Sequence, residues 1–309
     1  MRRDPWQWIA KTVRSPADAI QYACVLEATA PKAGNVHPVA KFDDLCFADF
    51  VVSAEIAASE LTATTLDLGA TLLGLGDRVH AVIQQTRSRT NTNVNLGIAL
   101  LLSPIVVAEE RYRTSDISWT LDAWREATAN VLSTLSSDQS QRMGEAIAMA
   151  AAGGMDGDYQ PEDPALDVHA ASKSFDVMAG MREAKDRDLI AAEYANGFES
   201  FFAEVVPIVE ASTGDTGDLL SGIALAHLQL LADRGDSLIA RKNGREAERQ
   251  IRDRAQRCLD AFASEGDFES IVAFDHHLRS DGHRLNPGTT ADFIAAAVYV
   301  CLRMRSHLS

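Results

Sequence analysis

The chain is most apolar at residues 96–108, which read LGIALLLSPIVVA. A run this rich in Leu, Ile, Val and Ala, with no charged residue, predicts a helix that is buried on all sides. It is too short to cross about 30 Å of hydrocarbon, which needs roughly 20 apolar residues, and it contains Ser103 and Pro104. We therefore expect the central core helix of a globular protein.

Helical periodicity continues on both sides of this segment. Apolar residues recur at spacings of three and four, and alternating β-branched runs are scarce. The predicted helices cover residues 16–29, 47–62, 66–85, 96–111, 119–135, 140–152, 175–202, 217–232, 245–263 and 291–304. A stretch rich in Gly, Pro and Asp at residues 153–168 predicts a long loop. The sequence thus predicts one all-α domain over residues 1–309, a multi-helix bundle with a polar cleft built from helix-start loops.

Composition and net charge narrow the classes of molecule that the protein is expected to bind. The 309 residues contain 29 Lys and Arg against 44 Asp and Glu, a formal net charge of −15. This balance argues against nucleic acid and anionic membranes as partners, although a local cationic pocket can still bind a small anion. The four cysteines show no CxxC spacing, which argues against a zinc ribbon or a disulfide framework. With no apolar leader after the N-terminus, we expect a cytoplasmic protein, and we also consider a homodimer.

The first polar segment lies between two predicted helices and reads PKAGNVHP at residues 31–38. It presents a cation, Lys32, and an imidazole, His37, between two prolines. Asp43 and Asp44 follow and open the next helix. Carboxylates at that position either cap the helix and complement its dipole, or they bind Mg²⁺ or act as a general base.

Three further polar segments interrupt the predicted helices. Residues 90–95, TNTNVN, carry more Asn than one cap needs, and residues 286–292, NPGTTAD, have the spacing of a capping box. Helix starts of this kind can also receive a phosphate on their free N–H groups. In the segment 235–244, Arg241 and Lys242 suit a polyphosphate, although an Arg-Lys pair is more often a solvated face.

A competing group is Asp275-His276-His277 with His283, since clustered His and Asp can bind a transition metal. The two adjacent histidines would point about 100° apart on a helix and could not easily share one metal. We therefore expect a surface or packing role for this group.

Taken in order, these segments resemble the triphosphoribosyl-dephospho-CoA synthase family. The matches lie between residues 15 and 305, and they are Pro31-Lys32-Ala33-Gly34, Asp43-Asp44, Asn91-Thr92-Asn93, Met181 to Asp188, Asp236-Ser237 with Arg241, and Asn286 to Asp292. The His-Lys-Gly of the family's second motif is absent, and Ala33 replaces a proline. The pattern is closer to a divergent branch, similar to proteins of methanogenic archaea and one-carbon-metabolising bacteria.

The resemblance implies an ATP-dependent transferase of cofactor or prosthetic-group biosynthesis. It would move the 5-triphosphoribosyl unit of ATP, with Mg²⁺, to a hydroxyl acceptor such as dephospho-CoA and release adenine. The implied catalytic residues are His37, Asp43 and Asp44, and the implied metal ligands are Asp44, Asp236 and Asp292. The implied nucleotide-binding residues are Lys32, Gly34, Asn35, Asn91, Thr92, Asn93, Arg241, Lys242, Asn286, Gly288, Thr289 and Thr290.

Two alternatives stay open at this point. A metal-dependent nucleotide phosphohydrolase would release phosphate rather than adenine. A non-catalytic nucleotide-binding relative would keep the fold without bringing Lys32, Asp44, Arg241 and Asp292 together. Convergence of the polar segments on one cleft would separate these readings.

Overall fold

The structure is a computed structural model that describes residues 4–64, 73–112, 119–150 and 175–306. Within these ranges it contains fifteen α-helices, one π-helical segment at Phe201–Val205 and no β-strand, which confirms the all-α prediction. The helices are α1 Gln7–Ala10, α2 Pro16–Thr29, α3 Phe47–Thr62, α4 Leu75–Thr90, α5 Leu96–Tyr112, α6 Leu121–Ser133, α7 Ser137–Ala150, α8 Val177–Ala184, α9 Leu189–Asn196, α10 Val206–Thr216, α11 Leu219–Arg234, α12 Ser237–Asn243, α13 Arg245–Glu265, α14 Phe268–Leu278 and α15 Gly288–Ser306.

The contacts between Cα atoms divide the chain into two compact units. Unit 1 comprises Met1–Val13, Tyr22–Val51 and Glu204–Ser309, and unit 2 comprises Arg14–Gln21 and Val52–Ala203. Helices α2 and α3 therefore contribute residues to both units. The single domain expected over residues 1–309 stays a prediction.

Helix α5 forms the core of unit 2, as its apolar sequence predicts. Every residue from Leu96 to Glu109 is buried, and the helix packs against α4, α6 and α9. Pro104 has no N–H, so it cannot donate to the carbonyl of Leu100 four residues earlier. The hydroxyl of Tyr194 in α9 donates to that carbonyl instead, at 2.7 Å. A buried acceptor that proline leaves without its helical donor is thus satisfied by a tyrosine 94 residues along the chain.

Unit 1 is built around α15 and α11. All residues from Phe293 to Leu302 in α15 are buried, and α15 packs against α1, α10, α11 and α12. A second apolar cluster joins α11 to the short helices α12 and α14 through α13. Its central members are Leu228, Leu231, Ile239, Ile251, Phe274 and Leu278. Ala33, from the loop after α2, belongs to the same cluster and anchors that loop to the core.

The predicted and observed helices differ at several places. Helix α4 begins at Leu75, after Gly74 in extended backbone, and residues 66–72 of the helix expected at 66–85 lie outside the described residues. The single helix expected over residues 175–202 is divided into α8 and α9, because Asp188 caps a new helix and Gly197 ends it in the left-handed region. The predicted helices do not include α1, α10, α12 and α14. The long loop expected at 153–168 lies outside the described residues.

Among the helices that the structure describes, none combines the length and the apolar character needed to cross a membrane.

Replacing Tyr194 by Phe tests the bond to Leu100. We expect Y194F to lower the free energy of unfolding by about 1–3 kcal/mol, because a buried carbonyl loses its donor. In a P104A background the alanine N–H can supply that carbonyl, so the same change should cost less. Urea denaturation of the four proteins of this double-mutant cycle measures the coupling. Equal costs in the two backgrounds would contradict the pairing of Pro104 with Tyr194.

Candidate functional site

The loop that follows α2 is held by a buried ion pair. The Nζ atom of Lys32 lies 2.8 Å from Oε1 of Glu27 in α2, and it also donates to the backbone carbonyl of Glu27. The side chain of Lys32 is 0% exposed. Its ammonium therefore stabilises the turn after α2 and does not present a charge to solvent, contrary to the phosphate-binding role that the family resemblance implies.

Gly34 and Asn35 are held by residues far along the chain. Gly34 has φ +78°, and a Cβ there would lie 2.8 Å from Leu278, so a larger residue would be both strained and crowded. Its N–H donates to Oδ1 of Asp275 at 2.7 Å. The Asn35 amide donates to Oδ1 of Asn286 at 2.5 Å, which joins the loop to the segment that precedes α15.

Asp43 and Asp44 are exposed, and a histidine lies close to Asp44. Its Oδ1 lies 3.3 Å from Nδ1 of His283, in the segment between α14 and α15. The ring of His283 also packs edge-on against Phe42, with ring centroids 5.9 Å apart. The contact between Phe42 and His283 thus holds the chain just before Asp43 and Asp44 against the segment between α14 and α15.

Asp236 is a buried residue whose two carboxylate oxygens are both engaged. Oδ1 accepts from the N–H groups of Leu238 and Ile239 and caps α12. Oδ2 accepts from the N–H and the hydroxyl of Thr290 in α15, at 2.8 and 2.9 Å. Beside it, the hydroxyls of Ser237 and Thr289 lie 3.1 Å apart. This capping and joining role accounts for Asp236, Thr289 and Thr290 without a bound nucleotide.

Arg241 and Lys242 lie at the end of α12. The charges of Asp236 and Asp44 act on Lys242. Lys242 is half-buried, and burial followed by the Arg241 charge lowers its pKa, while Asp236 and Asp44 act in the opposite direction. Its Nζ donates to the backbone carbonyl of His283 at 3.4 Å. Burial raises the pKa of Asp236, while its hydrogen bonds from Thr290 and Ile239 and the Arg241 charge act in the opposite direction. Lys242 is therefore the better placed of the two cations to bind an added anion.

Three of the four polar segments therefore meet in unit 1. We call the group of residues 31–44, 236–243, 275–279 and 283–290 the polar cluster. Gly288 lies within it, where an added Cβ would be 2.7 Å from Leu238 of α12. Asp292 follows in α15, where its charge and that of Glu27 add to the effect of burial in raising the pKa of the Cys24 thiol in α2.

The fourth segment, with Asn91, Thr92 and Asn93, lies in unit 2 and not in the polar cluster. Asn91 adopts φ 54° and ends α4. The Thr92 hydroxyl bonds to that of Thr90, and the Asn93 amide donates to the carbonyl of Ala150 at 3.3 Å. Nearby, Asn95 is buried and donates to Ser53 and Thr86. The segment is thus explained by helix ends, and its nucleotide-binding role stays a prediction.

The residues expected to bind metal do not form one group. Among the described residues, no three His, Cys, Asp or Glu side chains lie close enough to hold a metal ion. Asp236 has both oxygens occupied, so of the three expected ligands Asp44 is the exposed one. The competing Asp275-His276-His277 group is also no metal centre, because Asp275 accepts from Gly34 and Arg279. The donor set does not fit a resident metal.

Two histidines of unit 1 are held in the neutral form. The pKa of His37 is lowered by burial and by the Arg279 and Lys32 charges, against Asp275, which raises it. His227 in α11 is fully buried, and burial together with Lys32 lowers its pKa to about 3. A neutral His37 can accept a proton or a hydrogen bond at neutral pH, but it is a poor proton donor.

The sequence did not single out Glu27 or Arg279, whereas Asp275 has a packing role of the kind expected, through its contacts with Gly34 and Arg279. Arg279 pairs with Asp275 through its Nε atom at 2.8 and 2.9 Å. An Asp four residues before an Arg on a helix is a recognisable pair, so the spacing carried a signal. Glu27 gave no such signal, since its pairing with Lys32 depends on the turn after α2.

Asp236 and Asp218 give a matched test of the buried carboxylate. Both cap a helix, but Asp218 is exposed and bonds only its own helix start at Ser221. We expect D218A to cost about 0.5–2 kcal/mol of unfolding free energy as a lost cap. D236A should cost about 2–5 kcal/mol, because Thr290 also keeps a buried unpaired donor. Chemical denaturation measures both, and equal losses would show that the bonds to Thr290 contribute nothing.

Residues 13–308 match the CitG family, described as ATP:dephospho-CoA triphosphoribosyl transferase. A search of curated proteins gives no match. Among solved structures, the fold resembles a protein from Archaeoglobus fulgidus assigned as a triphosphoribosyl-dephospho-CoA synthase, with a TM-score of 0.58 and 20% identity over 83% of this chain and 98% of that one. Because the family match spans nearly the whole chain, the protein belongs to the CitG family of ATP:dephospho-CoA triphosphoribosyl transferases and is an enzyme of cofactor biosynthesis.

Proposed function

We propose that the polar cluster binds the triphosphate of ATP and carries out the transfer of its 5-triphosphoribosyl unit to dephospho-CoA. One observation supports this most directly. Segments that lie up to 250 residues apart meet in unit 1, with Asp44 3.3 Å from His283, whose own carbonyl accepts from Lys242. A non-catalytic relative would have no need to keep these charges together beside the surface.

The triphosphate would be bound by the cations at the end of α12. Lys242 and Arg241 are both partly exposed, and Arg284 lies close enough to lower the pKa of Lys242. Lys32 is excluded from this role because its ammonium is buried against Glu27. These cations form a local positive patch in a chain of net charge −15. The patch would attract a polyphosphate although the rest of the chain is acidic.

The reaction breaks the bond between C1′ of the ribose and N9 of adenine. The acceptor hydroxyl oxygen forms the new bond to C1′, and its proton balances the one that the departing adenine takes up. The transition state should resemble an oxocarbenium ion, as in glycoside cleavage. We assign His37 as hydrogen-bond acceptor or base for the acceptor hydroxyl, because its lowered pKa leaves the ring unprotonated at neutral pH and so without a proton to give to adenine.

Asp43 and Asp44 are exposed carboxylates in the same region. We propose that Mg²⁺ arrives with the triphosphate and takes Asp44 as its protein ligand, since Mg²⁺ commonly uses one or two carboxylates together with substrate phosphates. Asp43 is then left to face the sugar. A cytoplasmic location accords with the four free thiols at Cys24, Cys46, Cys258 and Cys301.

Product analysis tests the function. We expect the purified protein, incubated with ATP, Mg²⁺ and dephospho-CoA, to give free adenine and a CoA adduct heavier by one triphosphoribosyl unit, seen by chromatography with mass detection. D44N should lower turnover about 10²–10⁴-fold if Asp44 acts on the metal or the proton. D43N tests the neighbouring carboxylate in the same way, and D218N, at an exposed helix cap outside the polar cluster, is the matched control that should leave turnover unchanged.

The other products would each mean something different. Release of ADP or phosphate instead of adenine would contradict the transfer and favour the phosphohydrolase. Adenine without an adduct would support ATP as donor and contradict dephospho-CoA as acceptor. Unchanged turnover in D44N would remove Asp44 from the mechanism.

Lys242 gives a second test through its pKa. A lysine binds phosphate as the cation, and the lowered pKa means that Lys242 loses its charge at a lower pH than an ordinary lysine. ATP binding should therefore weaken on the alkaline side earlier than usual, and K242R should move that loss to higher pH. K242A should raise KM for ATP about 10–100-fold, the loss of one charged hydrogen bond. Steady-state kinetics from neutral to alkaline pH measures both, and pH profiles of K242R and wild type that coincide would contradict the assignment.

A further inference from the structure

Asp275 lies in α14, and Arg279 is the residue that follows this helix. Both belong to the polar cluster, but neither has yet been given a role of its own in binding or catalysis. The side chains form a close ion pair, with Nε of Arg279 2.8 and 2.9 Å from the two oxygens of Asp275. Arg279 is 16% exposed and Asp275 29% exposed, so solvent reaches the pair only in part. An i,i+4 pair on a helix surface ordinarily contributes little, and here both partners have further contacts.

Those further contacts all lead to the loop after α2. Asp275 accepts from the backbone N–H of Gly34 at 2.7 Å. The Nη2 atom of Arg279 donates to the backbone carbonyl of Asn35. The ion pair thus binds the backbone of two consecutive residues shortly before His37. Asp275 binds Gly34, and Arg279 binds Asn35.

The guanidinium also lies over the ring of Phe42, 5.6 Å from its centroid. Phe42 packs on His283, and His283 pairs with Asp44. Contacts of Arg279 therefore reach both parts of the site, the turn that carries His37 and the aromatic residue that precedes the two carboxylates.

We propose that Asp275 and Arg279 are positioning residues of the transfer site, which hold His37 and Asp44 in place through the Gly34–Asn35 backbone and the Phe42 ring. The proposal rests on the function proposed above. Misplacement of reacting groups by about 1 Å can cost 10²-fold in rate, so a clamp that touches no substrate can still control turnover.

The same pair sets the charge around His37. The groups that act on this imidazole are Arg279 and Asp275 from α14 and Lys32 from its own loop: the two cations lower its pKa, and Asp275 raises it. Neutralising Arg279 should therefore raise the pKa of His37, whereas neutralising Asp275 should lower it. Shifts of opposite sign would show that the two side chains act on the imidazole through their charges, and the change in kcat tests the positioning role.

The test uses R279Q, R279K and D275N of the full chain. Asn at 275 can still accept from Gly34 but carries no charge, and Lys at 279 keeps the charge but not the planar fork that reaches both Asp275 and Asn35. R249Q is the matched control, since Arg249 forms an exposed pair with Glu246 on α13 at 2.6 Å. Each variant is examined for kcat and KM with ATP and dephospho-CoA, for thermal unfolding, and for the His37 ring titration by NMR, assigned with H37Q.

We expect R279Q to lower kcat about 10–100-fold with a smaller change in KM for ATP, and to raise the pKa of His37. D275N should lower that pKa. R279K should leave the titration close to that of the wild type while kcat stays reduced, and R249Q should change neither.

The His37 titration is measured without substrate, so its result does not depend on which group the enzyme transfers. Shifts of the same sign in R279Q and D275N, or none in either, would overturn the charge effect. A folded R279Q with wild-type kcat would overturn the positioning role. Loss of the assumed reaction in the wild type, with opposite shifts in the two variants, would instead count against the proposed function alone.

Discussion

The four hydrogen bonds on the buried carboxylate of Asp236 are the constraint on which the polar cluster depends. One oxygen fixes the start of α12 and the other fixes the start of α15, 54 residues later. A carboxylate removed from water is costly unless donors surround it, so these bonds cannot be exchanged freely for others. Because α12 is only seven residues long, fixing its first turn also fixes Lys242 at its end. Asn286 and Gly288, just before and at the start of α15, are placed by the same carboxylate.

Burial separates two lysines that look alike in the sequence. Lys32 and Lys242 each stand beside a Gly- and Asn-containing turn, and each suits a phosphate by residue type. In the structure Lys32 is buried against Glu27. Lys242 is half-exposed, and the charges of Asp44 and Asp236 act on it. A buried charge is retained where its partner is also buried, and losing either partner would leave the other uncompensated. The first lysine therefore shapes the loop, and the second can meet a ligand.

Local periodicity predicted the long helices well, and α2 and α3 have the bounds that the sequence indicates. It failed where short polar segments form helices of their own. The sequence around α12 does not indicate a helix, because Asp236 and Gly244 stand at its ends and few apolar residues lie between them. The contacts that make the site were beyond prediction for a different reason. Asp275 reaches Gly34 across 241 residues, and spacing along one chain carries no information about such a pairing.

The charges of the polar cluster divide into two parts that suit the two ends of the proposed substrate. Lys242, Arg241 and Arg284 form a cationic part, which favours the triphosphate but would oppose positive charge developing on the ribose. Asp43 and Asp44 supply the opposite charge near His283, and a nearby carboxylate stabilises an oxocarbenium-like ribose. Burial and the Arg279 and Lys32 charges lower the pKa of His37, so the ring is unprotonated and can take the proton of the acceptor hydroxyl without first losing one. The cations proposed to hold the triphosphate and those that act on His37 are thus different residues, and both leave the two carboxylates to offset positive charge at the sugar.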